Sequence, residues 1–211
     1  MFTRANALAV TLAALALTAP FLGGCGKSAP TRFYTLAPQT IGQDPAGQEA
    51  RGDNAAPGRP CPSLGIGPVD FPAYLDRNQI VTRSGSHQMT VADFDQWIEP
   101  LQDNFKRTLL ADLAGVTCAK PLVLFPWPAG LRPDYQVSIQ VRRFDGTLGG
   151  EAVLQADWSV QDAAGQAVAW RTSQFKETPG GPDYAQLASA QSRLVARLAQ
   201  DIAAAVSKLK P

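Results

Sequence analysis

The chain has 211 residues, with 19 basic and 18 acidic side chains, one histidine and a formal net charge of +1. Balanced charge without a basic run leaves no electrostatic footprint for nucleic acid, so a nucleic-acid partner is disfavoured. The one histidine, His87, stands at no CxxC or HxxxH spacing, which argues against a zinc site.

The first segment has three parts: a short start carrying Arg4, an apolar stretch over about 5–22, and small residues. That order is read as a secretory signal and not as a helix of the mature fold. The stretch is long enough to tempt a transmembrane reading, since roughly 17 residues can span a bilayer. Pro20, Gly23 and Gly24 break it, however, and no basic stop-transfer cluster follows. Leu22-Gly23-Gly24-Cys25 resembles the bacterial lipobox, in which the cysteine thiol receives diacylglycerol and the signal is cut away just before it. The resemblance implies lipid attachment at Cys25. It also implies the periplasmic face of a Gram-negative outer membrane, because Gly26 and not Asp follows the cysteine. Several acyl chains, each buried methylene contributing about 0.8 kcal/mol, would hold the mature chain in its membrane.

Cleavage leaves Cys61 and Cys118 as the remaining thiols. An even remainder in an oxidising compartment points to a disulfide, with two buried free thiols as the alternative. The organisation expected is a cleaved signal over 1–24, an acylated N-terminus and short tether over 25–32, and one α+β domain over 33–211. A tether of this length keeps the domain within roughly 20 to 25 Å of the lipid. Phe33, Tyr34, Thr35 and Leu36 read as a first short strand. Residues 38–60, rich in Gly, Pro, Ala and Gln, bury too little to offset ordering entropy and read as a flexible loop.

"SLGIGPV" at 63–69 reads as a strand, Ile80 and Val81 as another, and Met89 and Val91 as a third after the turn-prone "SGSH". Phe94, Trp97, Ile98, Leu101, Phe105, Leu109 and Leu113 recur at three and four residue intervals. They predict an amphipathic helix whose regular part begins near Glu99 because of Pro100, preceded by a turn from Asp93, and stops at Gly115. Leu122, Val123, Leu124 and Phe125 form a compact strand. Alternation around Tyr135, Val137, Ile139 and Val141, around Leu154, Ala156, Trp158 and Val160, and less cleanly over 168–175 predicts an antiparallel meander with one wetted face. A last stripe from Tyr184 to Leu209 predicts a helix of about 27 residues, roughly 40 Å long. The fold class is α+β: a two-layer sandwich of a mainly antiparallel sheet with two long helices on one face.

"LGGCG", "RFYTL", "LGIGPVDFPAYLDRNQIVTRSG" and "FDQWIEPLQDNFKRTLLADL", in this order, resemble the ABC-type transport auxiliary lipoproteins, the PqiC-like family. The most specific blocks are P-x-Y-L-D-R-x-Q-I-V-x-R at 72–83 and W-x-E-P-L at 97–101. The resemblance implies a non-enzymatic, homo-oligomeric outer-membrane lipoprotein. It would partner a periplasmic MCE-domain tunnel protein in lipid transport between membranes and in envelope integrity.

A hydrolase needs nucleophile, base and orienting group in mutual reach. With His87 in a polar turn, and with Asp93 and Asp95 read as helix-start residues, no catalytic group, metal or cofactor is assigned. Two readings remain. In an anchored adaptor, exposed side chains of "FPAYLD" and "FPWPAG" mark subunit or MCE contacts. In a lipid-binding shuttle, Phe71, Tyr74, Phe125 and Trp127 line an apolar pocket. Arg77 and Arg83 either pair with Asp76 or Asp70 or lie at a subunit contact, and the sequence alone does not separate the two.

Overall fold

The computed structural model describes residues 29–39 and 61–209. The signal segment, Cys25, the start of the tether and residues 40–60 lie outside the described residues. Contacts divide the chain after Pro30, and the body described below begins at Thr31. No helix among the described residues is long and apolar enough to cross a membrane.

Eight strands and two helices are described: β1 (Arg32–Tyr34), β2 (Leu64–Asp70), β3 (Gln79–Arg83), β4 (Met89–Trp97), α1 (Leu101–Val116), β5 (Leu122–Leu124), β6 (Tyr135–Gly146), β7 (Ala152–Asp162), β8 (Ala167–Glu177) and α2 (Tyr184–Val206). They form a three-stranded sheet of order β1-β4-β3 and a five-stranded sheet of order β5-β2-β6-β7-β8. The α+β expectation holds, but the mainly antiparallel sheet is corrected to a mixed one. β2 runs parallel to both β5 and β6, and β1 runs parallel to β4. The antiparallel pairs are β3 with β4 and the meander β6-β7-β8. The alternating stretches with one wetted face gave the right answer only where they occur. β2 is buried on consecutive residues from Leu64 to Gly67, as a covered parallel strand is, and α1 lies in the connection that returns the chain to run beside it.

A second correction concerns residues 93–98. Phe94 and Trp97 belong to β4, not to a helical stripe, and Asp93 and Asp95 are strand residues. The spacing of Phe94, Trp97 and Leu101 is helical, yet in β4 Phe94 faces solvent and Trp97 the core, on opposite faces of the strand. Here the backbone groups upstream of Pro100 are taken by pairing with β1 and β3, so α1 starts only at Leu101, with Pro100 as its cap residue. Gly115 sits within the last turn and Thr117 closes the helix.

Along α1, Leu101, Phe105, Leu109 and Leu113 are buried at four-residue intervals; along α2, Leu187, Leu194, Leu198 and Ile202 are fully buried. The helices pack side by side, α1 toward β2 and β5, α2 across β6, β7 and β8. α2 has 23 residues, so it runs about 35 Å, and it starts where the Asp183 carboxylate accepts the Gln186 N–H at 2.8 Å. Cys61 and Cys118 are joined in a disulfide with a Cα–Cα distance of 5.4 Å.

The segment after β1 is held by side chains of both helices. The Leu36 N–H donates to Asn104 Oδ1 at 2.8 Å, Ala37 N–H to Ser192 Oγ at 3.1 Å and Gln39 N–H to Asp112 Oδ1 at 2.7 Å. These buried polar groups on otherwise apolar helix faces supply the acceptors that an extended backbone without a neighbouring strand lacks.

Candidate functional site

The block at 72–83 begins with Pro72, passes through a single 3-10 turn, Ala73–Leu75, and ends in β3. It folds against the end of β6, where Asp145 has no exposed surface. Three side chains converge on that carboxylate. Tyr74 Oη donates to Oδ2 at 2.8 Å, Arg83 Nη2 donates to Oδ2 at 3.1 Å, and Arg143 Nε donates to Oδ1 at 2.8 Å. Burial pushes the Asp145 carboxyl up, but hydrogen bonds from Arg83, Arg143 and Tyr74 outweigh it and hold the group below the usual carboxylate range. Burial, then the bond to Asp145, drives the Tyr74 phenol upward, so it stays a donor. Beside this hub Phe71 meets Phe105 and Phe144 edge to face, with ring centroids 5.0 and 6.1 Å away.

Arg83 therefore pairs with Asp145, a residue 62 positions away, and not with Asp76 or Asp70. No local charge pattern could have pointed to that partner. Arg77 is exposed and lines an open groove of about 740 Å³ with Asp76, Asn78, Gln96, Gln102 and Asp103.

Phe125 and Trp127 lie at the other end of the molecule's five-stranded sheet, beyond β5, and stack edge to face at 5.1 Å. Two glycines of β2 make room for them. A Cβ on Gly65 would stand 2.6 Å from Trp127 Cζ3, and one on Gly67, whose φ is +125°, would stand 2.7 Å from Phe125 Cβ. The glycines of "LGIG" are thus slots for an aromatic pair, a role the sequence reading missed although both halves were in view. Phe125 is 46% exposed. The six candidates fall in three places: Tyr74 and Arg83 bond the Asp145 hub with Phe71 packed beside it, Phe125 and Trp127 form a surface pair, and Arg77 edges an open groove that Phe71 also lines.

A mirror of the hub holds β1. Arg32 Nε lies 2.8 Å from Asp95 Oδ1, and Tyr34 Oη donates to the same oxygen at 2.6 Å. Burial first, and then the bond to Asp95, pushes the Tyr34 phenol up to about 12. Both hubs leave a buried carboxylate fully bonded, which suits holding loops in place.

A sequence model of the family described as ABC-type transport auxiliary lipoprotein component matches residues 40–203. The Intermembrane transport lipoprotein PqiC of Escherichia coli (strain K12) is 26% identical over 151 residues, 71% of each chain. The crystal structure of an uncharacterized protein superposes with a TM-score of 0.65 at 20% identity, covering 84% of this chain and 99% of that one. A crystal structure of a Xanthomonas campestris protein superposes at 0.64 and 17% identity, covering 83% and 94%. Both share the fold.

Proposed function

Because the chain belongs to the ABC-type transport auxiliary lipoprotein components, a family non-enzymatic in kind, we propose that it is the anchored adaptor of an intermembrane lipid transport system. In this reading Cys25 carries the acyl chains and fixes the protein at the periplasmic face of the outer membrane. The body assembles with further copies of itself and receives the end of a periplasmic MCE-domain tunnel, supporting envelope integrity. The observation that carries the reading is the extent of the family match, which spans nearly the whole described body and so treats it as one module. The likeness to a PqiC, named for intermembrane transport, supports it.

Within the proposal, exposed Phe125 and Arg77 make partner or subunit contacts, with Trp127 seating Phe125. Phe71, Tyr74 and Arg83 hold the intervening block in shape. The test uses the mature chain with Cys25→Ser, so that it is purified without detergent. It is expected to sediment as an oligomer and to capture an MCE-domain protein. Phe125→Ala with Arg77→Ala is expected to weaken capture by roughly tenfold or more, as loss of an exposed aromatic and arginine anchor does, with an unchanged melting temperature. A strict monomer that captures no MCE-domain protein would overturn the proposal.

A further inference from the structure

Phe33, Phe94 and Ile98 stand out from the three-stranded sheet together. β1 and β4 pair in parallel with Phe33 opposite Gln96, so Phe33 shares a face with Gln96 and with the residues two before and two after it, Phe94 and Ile98. The Ile98 N–H donates to Tyr34 O at 2.9 Å and carries the ladder one residue past β4. The three side chains are 57%, 40% and 60% exposed, whereas Asp95 and Trp97 on the opposite face are buried. Large apolar residues scattered singly on a surface need no explanation, but three on adjacent strands make a contiguous patch of the kind that meets a partner.

The chain itself says what that partner is. Phe33 is the second residue of β1, and Arg32 stands seven positions after Cys25. At about 3.6 Å per residue a chain of that length spans at most about 25 Å. If Cys25 is acylated, the bilayer surface lies within that reach of β1. Short tethers raise the local concentration of a second contact to the millimolar range, so a patch too weak to hold the free protein is occupied in the anchored one.

We propose that Phe33, Phe94 and Ile98 form a second membrane contact, laying the outer face of the three-stranded sheet on the phospholipid interface beside the acyl anchor. This rests on the reading of Cys25 as the lipid attachment point. An acyl anchor alone leaves the body free to turn, and the added contact fixes which face looks away from the lipid.

The test reconstitutes the acylated mature chain into phosphatidylcholine vesicles with and without brominated acyl chains. An Ile98→Trp variant adds a reporter at the patch, and the wild type, with Trp170 exposed on the other sheet, is the reference. Roughly half of the added emission should be quenched, as for a ring buried about 5–10 Å into the interface. Phe33→Ser with Phe94→Ser in the same background should abolish the quenching. As a measurement without the reporter, amide exchange of wild-type β1 and of residues 94–98 should slow on vesicles relative to detergent. A protein that floats with vesicles but shows neither quenching nor slowed exchange overturns the patch contact and leaves the anchor intact. One that does not float overturns the anchor reading itself. Dissociation of an oligomer by the two serine substitutions, without any lipid quenching, assigns the patch to a second copy and also overturns the proposal.

Discussion

Asp145 and Asp112 show how burial acts in opposite directions on two carboxylates. Asp145 meets two guanidiniums and a phenol, so its ionised form is favoured in the fold. Its contribution to stability is present above the ordinary carboxylate value and is lost as pH falls through its depressed folded value. Asp145→Ala would leave both arginines facing a void, and should cost about 3 kcal/mol in urea unfolding, the lower end for a broken buried pair because Arg83 and Arg143 each keep about a quarter of their surface exposed. Among the described residues Asp112 accepts only the Gln39 N–H, and its Oδ2 is buried without a partner. Burial pushes that carboxyl up to about 6, against the pull of the Gln39 amide. The sign is then reversed: the fold favours the protonated form, and stability is lost as pH rises from about 4 through 6. Asp112→Asn keeps an acceptor for Gln39 without the charge. Its melting temperature should gain on the wild type between pH 4.5 and 7.5, by the equivalent of on the order of 2 kcal/mol, and a constant difference over that range would refute the assignment.

At the scale of elements, the crossing of the N-terminal segment over both helices depends on a few polar side chains set into apolar faces. Asn104 is the central one, accepting the Leu36 N–H while its amide meets Thr35 Oγ1 at 2.8 Å and Glu99. Asn104→Leu, which fills the space without an acceptor, should destabilise the fold by about 1–3 kcal/mol by stranding a buried donor. Hydrogen exchange should show the loss concentrated in residues 34–39. The Cys61–Cys118 bridge closes a separation of 57 residues and ties the entry of β2 to the segment after α1. In the chain-entropy account it contributes about 4 kcal/mol, so denaturation in reductant should fall short of the oxidised protein by up to that amount. Of these elements the meander, α1 and α2 were legible in the sequence, because alternation and the helical stripe each persist for many residues. β4 was not. Phe94 and Trp97 stand at a helical spacing, and only the presence of β1 and β3 on its two sides makes this stretch a strand with the two on opposite faces.

For the molecule as a whole, the proposed anchor makes the simplest prediction. Acyl chains at Cys25 should add their mass to the native product and keep it in the membrane fraction at high salt, since each buried methylene contributes about 0.8 kcal/mol. Replacing residues 1–25 with an ordinary secretory signal that is cleaved without lipidation should release it to the soluble periplasm, and an unmodified thiol on a membrane-bound wild-type chain would refute the lipid attachment. What the sequence by itself determined is what depends on neighbours in the chain: the α+β class, the helices, the meander strands and the order of blocks that marks the family. Tertiary structure alone decided the mixed strand directions, the partner of Arg83, the role of Gly65 and Gly67, and the grouping of Phe33 with Phe94 and Ile98. Each of these joins residues about 58 or more positions apart. A periodic pattern reports only the face a residue presents, whereas pairing depends on which distant surface the packed core brings to meet it.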